Sequence, residues 1–247
     1  MVINMVGSID GKATIDGKAE PIGSQTDRVL MRTLRSRADA VMVGAGTLRA
    51  EKLTLAVPES LARGREARGL RAQPLAVVAT ASGDVPLRTN LLSSSPDNLL
   101  LLVSPETPKE HLAALSTHGS LEVVPKGTAT TSQENVLPAA EPGSRLDLTR
   151  ALEVLRERHA VDVLLVEGGP ALNHALISGG LADELFLTLA PQLLGGARPD
   201  ALAVLERPAL RPPNPPVSGL VSVHLCESEL FLRYLLNPLS HHRIERG

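Results

Sequence analysis

The chain has 247 residues and a mass of 26.1 kDa, which fits one large domain or two small ones. Hydrophobic residues make up 43% of it and charged residues 21%, so we expect a globular chain. Aromatic residues make up 1% and the net charge is −2, which argues against nucleic-acid binding. The single cysteine excludes an internal disulfide framework and a cysteine-rich metal site. No leader-like segment and no apolar run of about 18 residues is visible, so we expect a cytoplasmic protein without membrane contact.

Short apolar runs alternate with helical patterns along the first half of the chain, which predicts an α/β sheet covered by helices. Residues 2–6 are predicted to form a strand, 7–23 a loop, and 25–37 a helix after the N-cap Ser24. Further strands are predicted at 40–43, 75–79, 99–103 and 121–124. We predict a short helix capped by Thr47 and a helix over 108–117, and we expect the basic segment 63–71 to be exposed.

The second half of the chain continues the alternation after a polar stretch, 126–145, that is interpreted as a surface loop. A helix is predicted from Asp147 to His159, and another from Pro170 to Ile177 that stops at Gly179. Predicted strands lie at 161–166, 183–189, 220–225 and 230–236. The last two close the sheet as an antiparallel hairpin, whereas the proline-rich segment 203–216 is predicted to be irregular.

Three strand-to-helix junctions are candidate sites, because ligands of open α/β sheets bind at the carboxyl ends of the strands. The first junction runs from Asn4 to Gly11, and in it Ser8 and Asp10 follow a strand beside two glycines. The residues alone leave two alternatives open, a turn capped by Asp10 and a ligand site.

The second junction contains Gly44 and Gly46 before the predicted helix start at Thr47. Exposed N–H groups there suit an anion, although a tight turn capped by Thr47 explains the pattern equally well. The junction is not a dinucleotide fingerprint, because Arg49 occupies the position of the third glycine.

The third junction, Glu167-Gly-Gly-Pro170, follows the predicted buried strand. A carboxylate at the tip of a buried strand needs a partner, and Gly168 and Gly169 let the backbone approach a phosphate. Proline suits the first helical position that follows. The chain lacks Gly-x-Ser-x-Gly and His-Glu-x-x-His, so nothing indicates a hydrolase or a metalloenzyme. Phosphate-holding junctions without a nucleophile favour a redox reaction in which a cofactor supplies the reactivity.

These junctions resemble the reductase domain of bifunctional riboflavin-biosynthesis deaminase/reductases and the related stand-alone pyrimidine reductases. Five matching motifs occur in the family's order over residues 2–198: Ser8-Ile-Asp-Gly-Lys12, Arg35-Ser-Arg-Ala-Asp-Ala-Val-Met-Val-Gly-Ala-Gly-Thr47, Glu167-Gly-Gly-Pro170, Gly180-Leu-Ala-Asp-Glu-Leu185 and Ala190-Pro-Gln-Leu-Leu-Gly-Gly196.

The resemblance implies one domain, 1–247, with a dihydrofolate-reductase-like fold: three αβα layers around a mostly parallel mixed sheet. It implies a homodimer, NADPH as the hydride donor, and a ribosylaminopyrimidine 5′-phosphate as the substrate. Hydride delivered to the ribosyl C1′ gives the ribitylamino product, as in 5-amino-6-(5-phosphoribosylamino)uracil reductases.

The resemblance also implies residue roles. It places Asp10 and Glu167 among the catalytic residues, with Asp10 either positioning polar groups or supporting its loop. Substrate contacts are expected from Asn4, Arg35 and Glu167. Contacts with the dinucleotide are expected from Gly44, Thr47, Glu51, Gly168, Gly169, Pro170, Ala171 and Leu172.

Two departures from the family keep other functions open. The segment after Glu51 reads Lys52-Leu-Thr-Leu-Ala-Val-Pro58 where the family has an acidic, proline-containing segment leading to a phosphate-binding arginine. The zinc-binding motif of the deaminase domain is also missing. The alternatives are a reductase of another small heterocycle, including a pterin, and a non-catalytic nucleotide-binding protein. The absence of Trp argues against a pterin.

Overall fold

A computed structural model describes residues 1–15, 18–19, 21–91, 96–125, 136–138, 145–195, 202–205 and 218–236. Its strands are β1 (Val2–Ser8), β2 (Ala40–Gly44), β3 (Leu75–Thr80), β4 (Leu99–Val103), β5 (Ser120–Val123), β6 (Val136–Pro138), β7 (Arg145–Asp147), β8 (Leu164–Val166), β9 (Glu184–Ala190), β10 (Ser218–Cys226) and β11 (Glu229–Leu236). Its α-helices are α1 (Gln25–Arg37), α2 (Ala45–Ala50), α3 (Glu59–Glu66), α4 (Lys109–Leu115), α5 (Leu148–His159) and α6 (Pro170–Ser178).

Within the described residues, nine strands form one mixed sheet in the order β10-β11-β9-β1-β8-β2-β3-β4-β5. Pairing is parallel from β9 through β5, and it is antiparallel where β11 joins β9 and β10. The predicted α/β class, the mostly parallel mixed sheet and the C-terminal antiparallel hairpin are therefore confirmed.

Helices cover both faces of the sheet, which explains the continuous apolar sequences of β2, β3 and β4. On one face, side chains from these strands pack with Leu34 of α1, Leu48 of α2 and Leu115 of α4. On the other face, the core includes Leu155 of α5 and Leu176 of α6. Within the described residues, no helix has both the length and the apolar character needed to cross a membrane.

The helix ends follow local sequence signals. The Ser24 hydroxyl accepts a hydrogen bond from the backbone N–H of Asp27 at 3.1 Å, so the predicted N-cap of α1 is confirmed. Asp147 caps α5 in the same way through the N–H of Arg150, and α6 ends at Gly179. Thr47 is not a cap: α2 begins after Gly44, and Thr47 lies within its first turn.

The prediction that residues 63–71 are exposed is wrong at Arg65, whose exposed fraction is 1%. Residues Glu59–Glu66 form α3, and Arg65 donates hydrogen bonds to the carbonyls of Arg35, Ser36 and Ala38. These carbonyls lie at the carboxyl end of α1, where a helix leaves acceptors without intrahelical partners. A buried guanidinium is therefore satisfied by the end of a neighbouring helix.

The expected surface loop at 126–145 contains two short strands, since β6 and β7 pair in antiparallel fashion. The remaining parts of that prediction, 126–135 and 139–144, lie outside the described residues, as does most of the proline-rich segment 203–216. Strand β8 is shorter than predicted, because it begins at Leu164 and the preceding Val163 is exposed.

Candidate active site

A cavity of about 1180 Å³ lies at the carboxyl ends of β1, β2, β3 and β8. The second and third predicted junctions meet there, because β2 and β8 are neighbours in the sheet. The first junction contributes Asn4, Met5 and Val6, which precede its loop. The sheet order therefore brings together segments that are far apart in the sequence.

Glu167 lies directly after β8 and forms a bidentate ion pair with Arg35 from the last turn of α1. The guanidinium Nε donates to Glu167 Oε1 at 2.7 Å, and Nη2 donates to Oε2 at 2.6 Å. Both side chains are almost completely buried while lining the cavity. A carboxylate at the end of a buried strand needs a partner, and for Glu167 that partner is Arg35 in the lining of the same cavity.

The remaining guanidinium nitrogen of Arg35 faces the segment that departs from the family. Its Nη1 donates to the carbonyl oxygens of Thr54 at 2.8 Å and Ala56 at 3.3 Å. Arg35 therefore lines the cavity, as expected of a substrate-binding residue. Its N–H groups are bound to the Glu167 carboxylate and to the backbone carbonyls of Thr54 and Ala56. These contacts give Arg35 a positioning role, and its predicted contact with the substrate stays a prediction.

The predicted cofactor residues form one cluster. The N–H of Gly44 donates to the carbonyl of Gly168 at 2.9 Å, and the Gly168–Gly169 peptide bond is cis. A Cβ on Gly169 would lie 3.0 Å from Thr47 Oγ1, so a larger residue would crowd this turn. Helix α6 then begins at Pro170, and its first N–H groups, from Ala171 and Leu172, have no intrahelical acceptors.

Glu51 also lines the cavity, at the end of α2. Its Oε1 accepts a hydrogen bond from the N–H of Ala19 at 2.6 Å. The carboxylate therefore ties the loop that follows β1 to the rim of the cavity. Its predicted contact with a dinucleotide stays a prediction.

Asp10 does not belong to this group, because it lies outside the cavity lining. Its carboxylate accepts hydrogen bonds from Ser8 Oγ at 2.6 Å, from the N–H of Leu194 at 3.1 Å and from the N–H of Gly195 at 2.7 Å. The Ser8 hydroxyl and then the two N–H groups hold the pKa of Asp10 at about 2, below its ordinary value of 3.8. Asp10 thus joins the loop after β1 to the segment after β9, which favours the loop-supporting alternative.

The sequence interpretation missed Asp27, a buried acid of α1 that also lines the cavity. An aspartate in the first turn of a helix is ordinarily explained by the helix dipole, so its sequence position carried no functional signal. Among the described residues, no group of three or more His, Cys, Asp or Glu is arranged to hold a metal ion.

Comparison with known proteins identifies the family. Residues 1–206 match the model of the RibD C-terminal domain. The chain belongs to the RibD C-terminal domain family. It is 30% identical over 196 residues to the 2,5-diamino-6-ribosylamino-4(3H)-pyrimidinone 5′-phosphate reductase of Archaeoglobus fulgidus, and the match covers 78% of this chain and 81% of that protein. The family predicted from the five motifs is confirmed.

Solved structures of other proteins share the fold of this chain. A pyrimidine reductase-like protein from Corynebacterium diphtheriae has a TM-score of 0.77 at 24% identity, with 95% of this chain and 90% of that chain covered. A Thermotoga maritima protein, described as a deaminase/5-amino-6-(5-phosphoribosylamino)uracil reductase, has a TM-score of 0.62 at 19% identity. There the match covers 95% of this chain and 56% of the other.

Replacing Arg35 by alanine should destabilise the protein by roughly 3–5 kcal/mol, because Glu167 would be left as a buried charge without its partner. The free energy of unfolding in urea measures this loss. Arg63→Ala is the matched control, since Arg63 forms an exposed pair with Glu59 at 3.9 Å and should cost less than about 1 kcal/mol. Equal losses in the two variants would contradict the structural role of the Arg35–Glu167 pair.

Replacing Asp10 by asparagine should lower the melting temperature at pH 7. An acid whose pKa is depressed on folding stabilises the native state above its unfolded pKa, and this contribution disappears as the pH falls through the folded pKa. The difference between wild type and Asp10→Asn should therefore shrink between about pH 4 and pH 2. Thermal unfolding across this range, with the exposed Asp97→Asn as the control, measures it. A difference that is constant with pH would show that the Asp10 charge is not responsible.

Proposed function

We propose that this protein is a reductase that uses NADPH to reduce the ribosyl group of a ribosylaminopyrimidine 5′-phosphate. The observation that carries this proposal is the arginine-held carboxylate of Glu167 beside the Gly168–Gly169 turn, within one cavity of a RibD C-terminal domain. This arrangement offers a polar anchor for a substrate next to backbone donors for a phosphorylated cofactor.

The residues of the glycine turn fit a dinucleotide. The N–H groups of Ala171 and Leu172 at the start of α6 suit a pyrophosphate, and the Thr47 hydroxyl lies next to the turn. Gly169 has no side chain, so its backbone can approach a ligand here, and a Cβ at this position would crowd Thr47 Oγ1 at 3.0 Å. Arg49 also lines the cavity, and its side chain is 44% exposed, although it pairs with Asp84 at 3.3 Å. An exposed pair of this kind contributes little and can rearrange, so Arg49 is our candidate partner for the 2′-phosphate that distinguishes NADPH from NADH.

The charge of the cavity favours phosphorylated ligands. The basic side chains in its lining outnumber the acidic ones: Lys18, Arg28, Arg35, Arg49, Lys52 and Arg88 against Asp27, Glu51 and Glu167. Lys52 is exposed at the rim, in the segment where the family's phosphate-binding arginine is missing. We assign the substrate phosphate to this lysine, since Arg35 is already occupied by protein acceptors.

When bound, NADPH would supply the hydride to C1′ after the C1′–O4′ bond of the ribosyl ring has opened to an imine, with the amine proton passing to O4′. A proton from solvent would then restore the N–H of the ribitylamino product. The chain itself contributes alignment and a polar environment. Each Glu167 oxygen accepts one hydrogen bond from Arg35 and keeps a free lone pair, so Glu167 can accept a further bond from a substrate hydroxyl or ring N–H. Because Arg35 fixes the orientation of this carboxylate, we assign Glu167 the role of positioning the substrate.

We propose that the protein is a homodimer. Strand β10 is an edge strand of the sheet, and it exposes the large apolar side chains Leu220, Val221, Val223 and Leu225. An exposed apolar edge strand is a surface that proteins ordinarily cover. Light scattering should give twice the 26.1 kDa chain mass, and Leu225→Glu should shift the protein towards the monomer. A monomeric wild type would contradict the proposal.

NADPH absorbance tests the reaction directly. The purified protein should oxidise NADPH when 2,5-diamino-6-ribosylamino-4(3H)-pyrimidinone 5′-phosphate or 5-amino-6-(5-phosphoribosylamino)uracil is added. It should use NADH less well. Saturable NADPH binding without oxidation in the presence of either compound would overturn the proposed activity and favour a nucleotide-binding role.

Replacing Gly169 by alanine should weaken NADPH binding roughly 10-fold or more, because the added methyl would displace Thr47 or the turn itself. Titration of NADPH by calorimetry measures the change. Gly64→Ala is the matched control: its Cβ would meet the terminal nitrogen of Arg68 at 3.8 Å, an ordinary contact outside the cavity. Unchanged NADPH affinity in Gly169→Ala would remove the turn from the cofactor site.

A further inference from the structure

Asn173 is a buried amide next to the Gly168–Gly169 turn, and the proposed hydride transfer does not use it. It is the fourth residue of α6, its exposed fraction is 0%, and it lies outside the cavity lining. Its backbone N–H donates to the carbonyl of Gly169 at 3.0 Å. A Cβ on Gly168 would lie 4.0 Å from Asn173 Nδ2, so the side-chain amide lies directly behind the turn.

The Asn173 side chain makes few hydrogen bonds for so buried a group. Its Nδ2 donates to the carbonyl of Val204 in a long hydrogen bond of 3.5 Å, and its Oδ1 has no partner among the described residues. Buried polar atoms are ordinarily paired, and an unpaired one costs free energy. A leucine has a similar size and would avoid this cost, so stability alone does not explain an amide here.

The carbonyl that Asn173 reaches belongs to a short segment, residues 202–205, which we call the strap. The loop after β1 holds one end of the strap. The N–H of Ala13 donates to the carbonyl of Leu202 at 2.7 Å, and the N–H of Leu202 donates to Thr14 Oγ1 at 2.8 Å. These three residues line the cavity, so the strap and the loop together form part of its wall.

The rest of the strap packs on the sheet. A Cβ on Gly7 would lie 3.5 Å from Val204 Cγ2, so the missing side chain of Gly7 lets Val204 lie close to the end of β1. Leu205 packs against the core on the face that includes Leu176 of α6. Within the described residues, the bond from Asn173 is therefore the hydrogen bond between the strap and α6.

Asn173 thus connects three segments that are far apart in the sequence: the glycine turn, the strap and, through the strap, the loop after β1. In the proposed function, the N–H groups of Ala171 and Leu172, directly after the turn, bind the cofactor pyrophosphate. Such a site works when its donors are held within about 0.5 Å of the productive geometry. A turn that shifts against the cavity wall should therefore bind the cofactor less tightly.

We propose that Asn173 is a positioning residue that fixes the glycine turn against the strap and thereby sets the backbone donors that bind the cofactor. It acts through the turn, because its own side chain lies outside the cavity lining. The inference rests on the proposed function and adds a residue that supports the cofactor site from behind. The unpaired Oδ1 is the stability lost for this role.

Calorimetry with NADPH and steady-state kinetics test the role of Asn173. Asn173→Leu should weaken NADPH binding roughly 3- to 10-fold, the effect of one lost hydrogen bond at a positioned turn. The KM for NADPH should rise by a similar factor while kcat stays within about 2-fold, because the turn holds the cofactor equally before and during hydride transfer. An NADPH affinity equal to that of wild type would overturn the inference.

Thermal unfolding separates positioning from a structural role. Asn173→Leu should melt at the wild-type temperature or above it, because the unpaired Oδ1 is removed. Asn173→Ala, which removes the amide without adding a branched side chain, should show the same weaker NADPH binding. A lower melting temperature in both variants, with wild-type NADPH affinity in the folded fraction, would mark Asn173 as structural.

Asn98→Leu is the matched control, because it removes the same kind of bond away from the site. Asn98 Nδ2 donates to the carbonyl of Pro74 at 2.6 Å, and neither residue lines the cavity. This variant should melt at a lower temperature than wild type and bind NADPH as wild type does. Equal weakening of NADPH binding in Asn98→Leu and Asn173→Leu would overturn the inference, since the effect would not depend on the turn.

Hydrogen exchange without ligand distinguishes failure of this inference from failure of the proposed function. If the wild-type protein does not bind NADPH, the proposed function fails, and amide exchange still tests the connection through Asn173. Loosening the strap should speed exchange of the N–H groups of Ala13 and Leu202 roughly 3-fold or more in Asn173→Leu, and not in Asn98→Leu. Unchanged exchange at both N–H groups in Asn173→Leu would overturn the inference.

Discussion

The buried ion pair between Arg35 and Glu167 is the constraint on which the candidate site depends. It joins the end of β8 to the last turn of α1, and the same guanidinium holds the carbonyls of Thr54 and Ala56. Neither charge would be tolerated alone at this depth, so the pair fixes both elements relative to one another. Arg65 extends the constraint, since it holds the carboxyl end of α1 through backbone carbonyls. Helix α1 is thereby fixed where it borders the cavity.

The opposite end of α1 is fixed by polar contacts of a different kind. Ser24 caps the helix and also donates to Glu229 of β11, which ties the helix start to the antiparallel part of the sheet. Asp27 lies in the first turn of the same helix, where it is buried and lines the cavity. A charge that is costly to bury and unpaired within the protein is typical of a site where function is favoured over stability. Both ends of one helix thus serve the same cavity.

The lining of the cavity shows how a chain with 1% aromatic residues can bind ligands. None of the described residues that line it is Phe or Tyr, so the proposed ligands are held without stacking. Backbone N–H groups of the glycine turn, paired and unpaired carboxylates, and basic side chains provide the contacts instead. Such contacts are directional, and they favour discrimination between donor and acceptor patterns on a small ring.

The sequence alone determined the order and type of most elements, because the spacing of apolar residues and the capping residues act locally. Helix α1 with its Ser24 cap, the fully buried strands and the Glu167-Gly-Gly-Pro170 junction follow from such signals. Helix α3, the burial of Arg65, the partner of Glu167 and the exposure of Asp27 to the cavity do not. Each of these depends on residues brought together by the strand order, and the charge of a side chain does not reveal which distant group will balance it. Only the tertiary structure decided those pairings, and with them which acids stay available to a ligand.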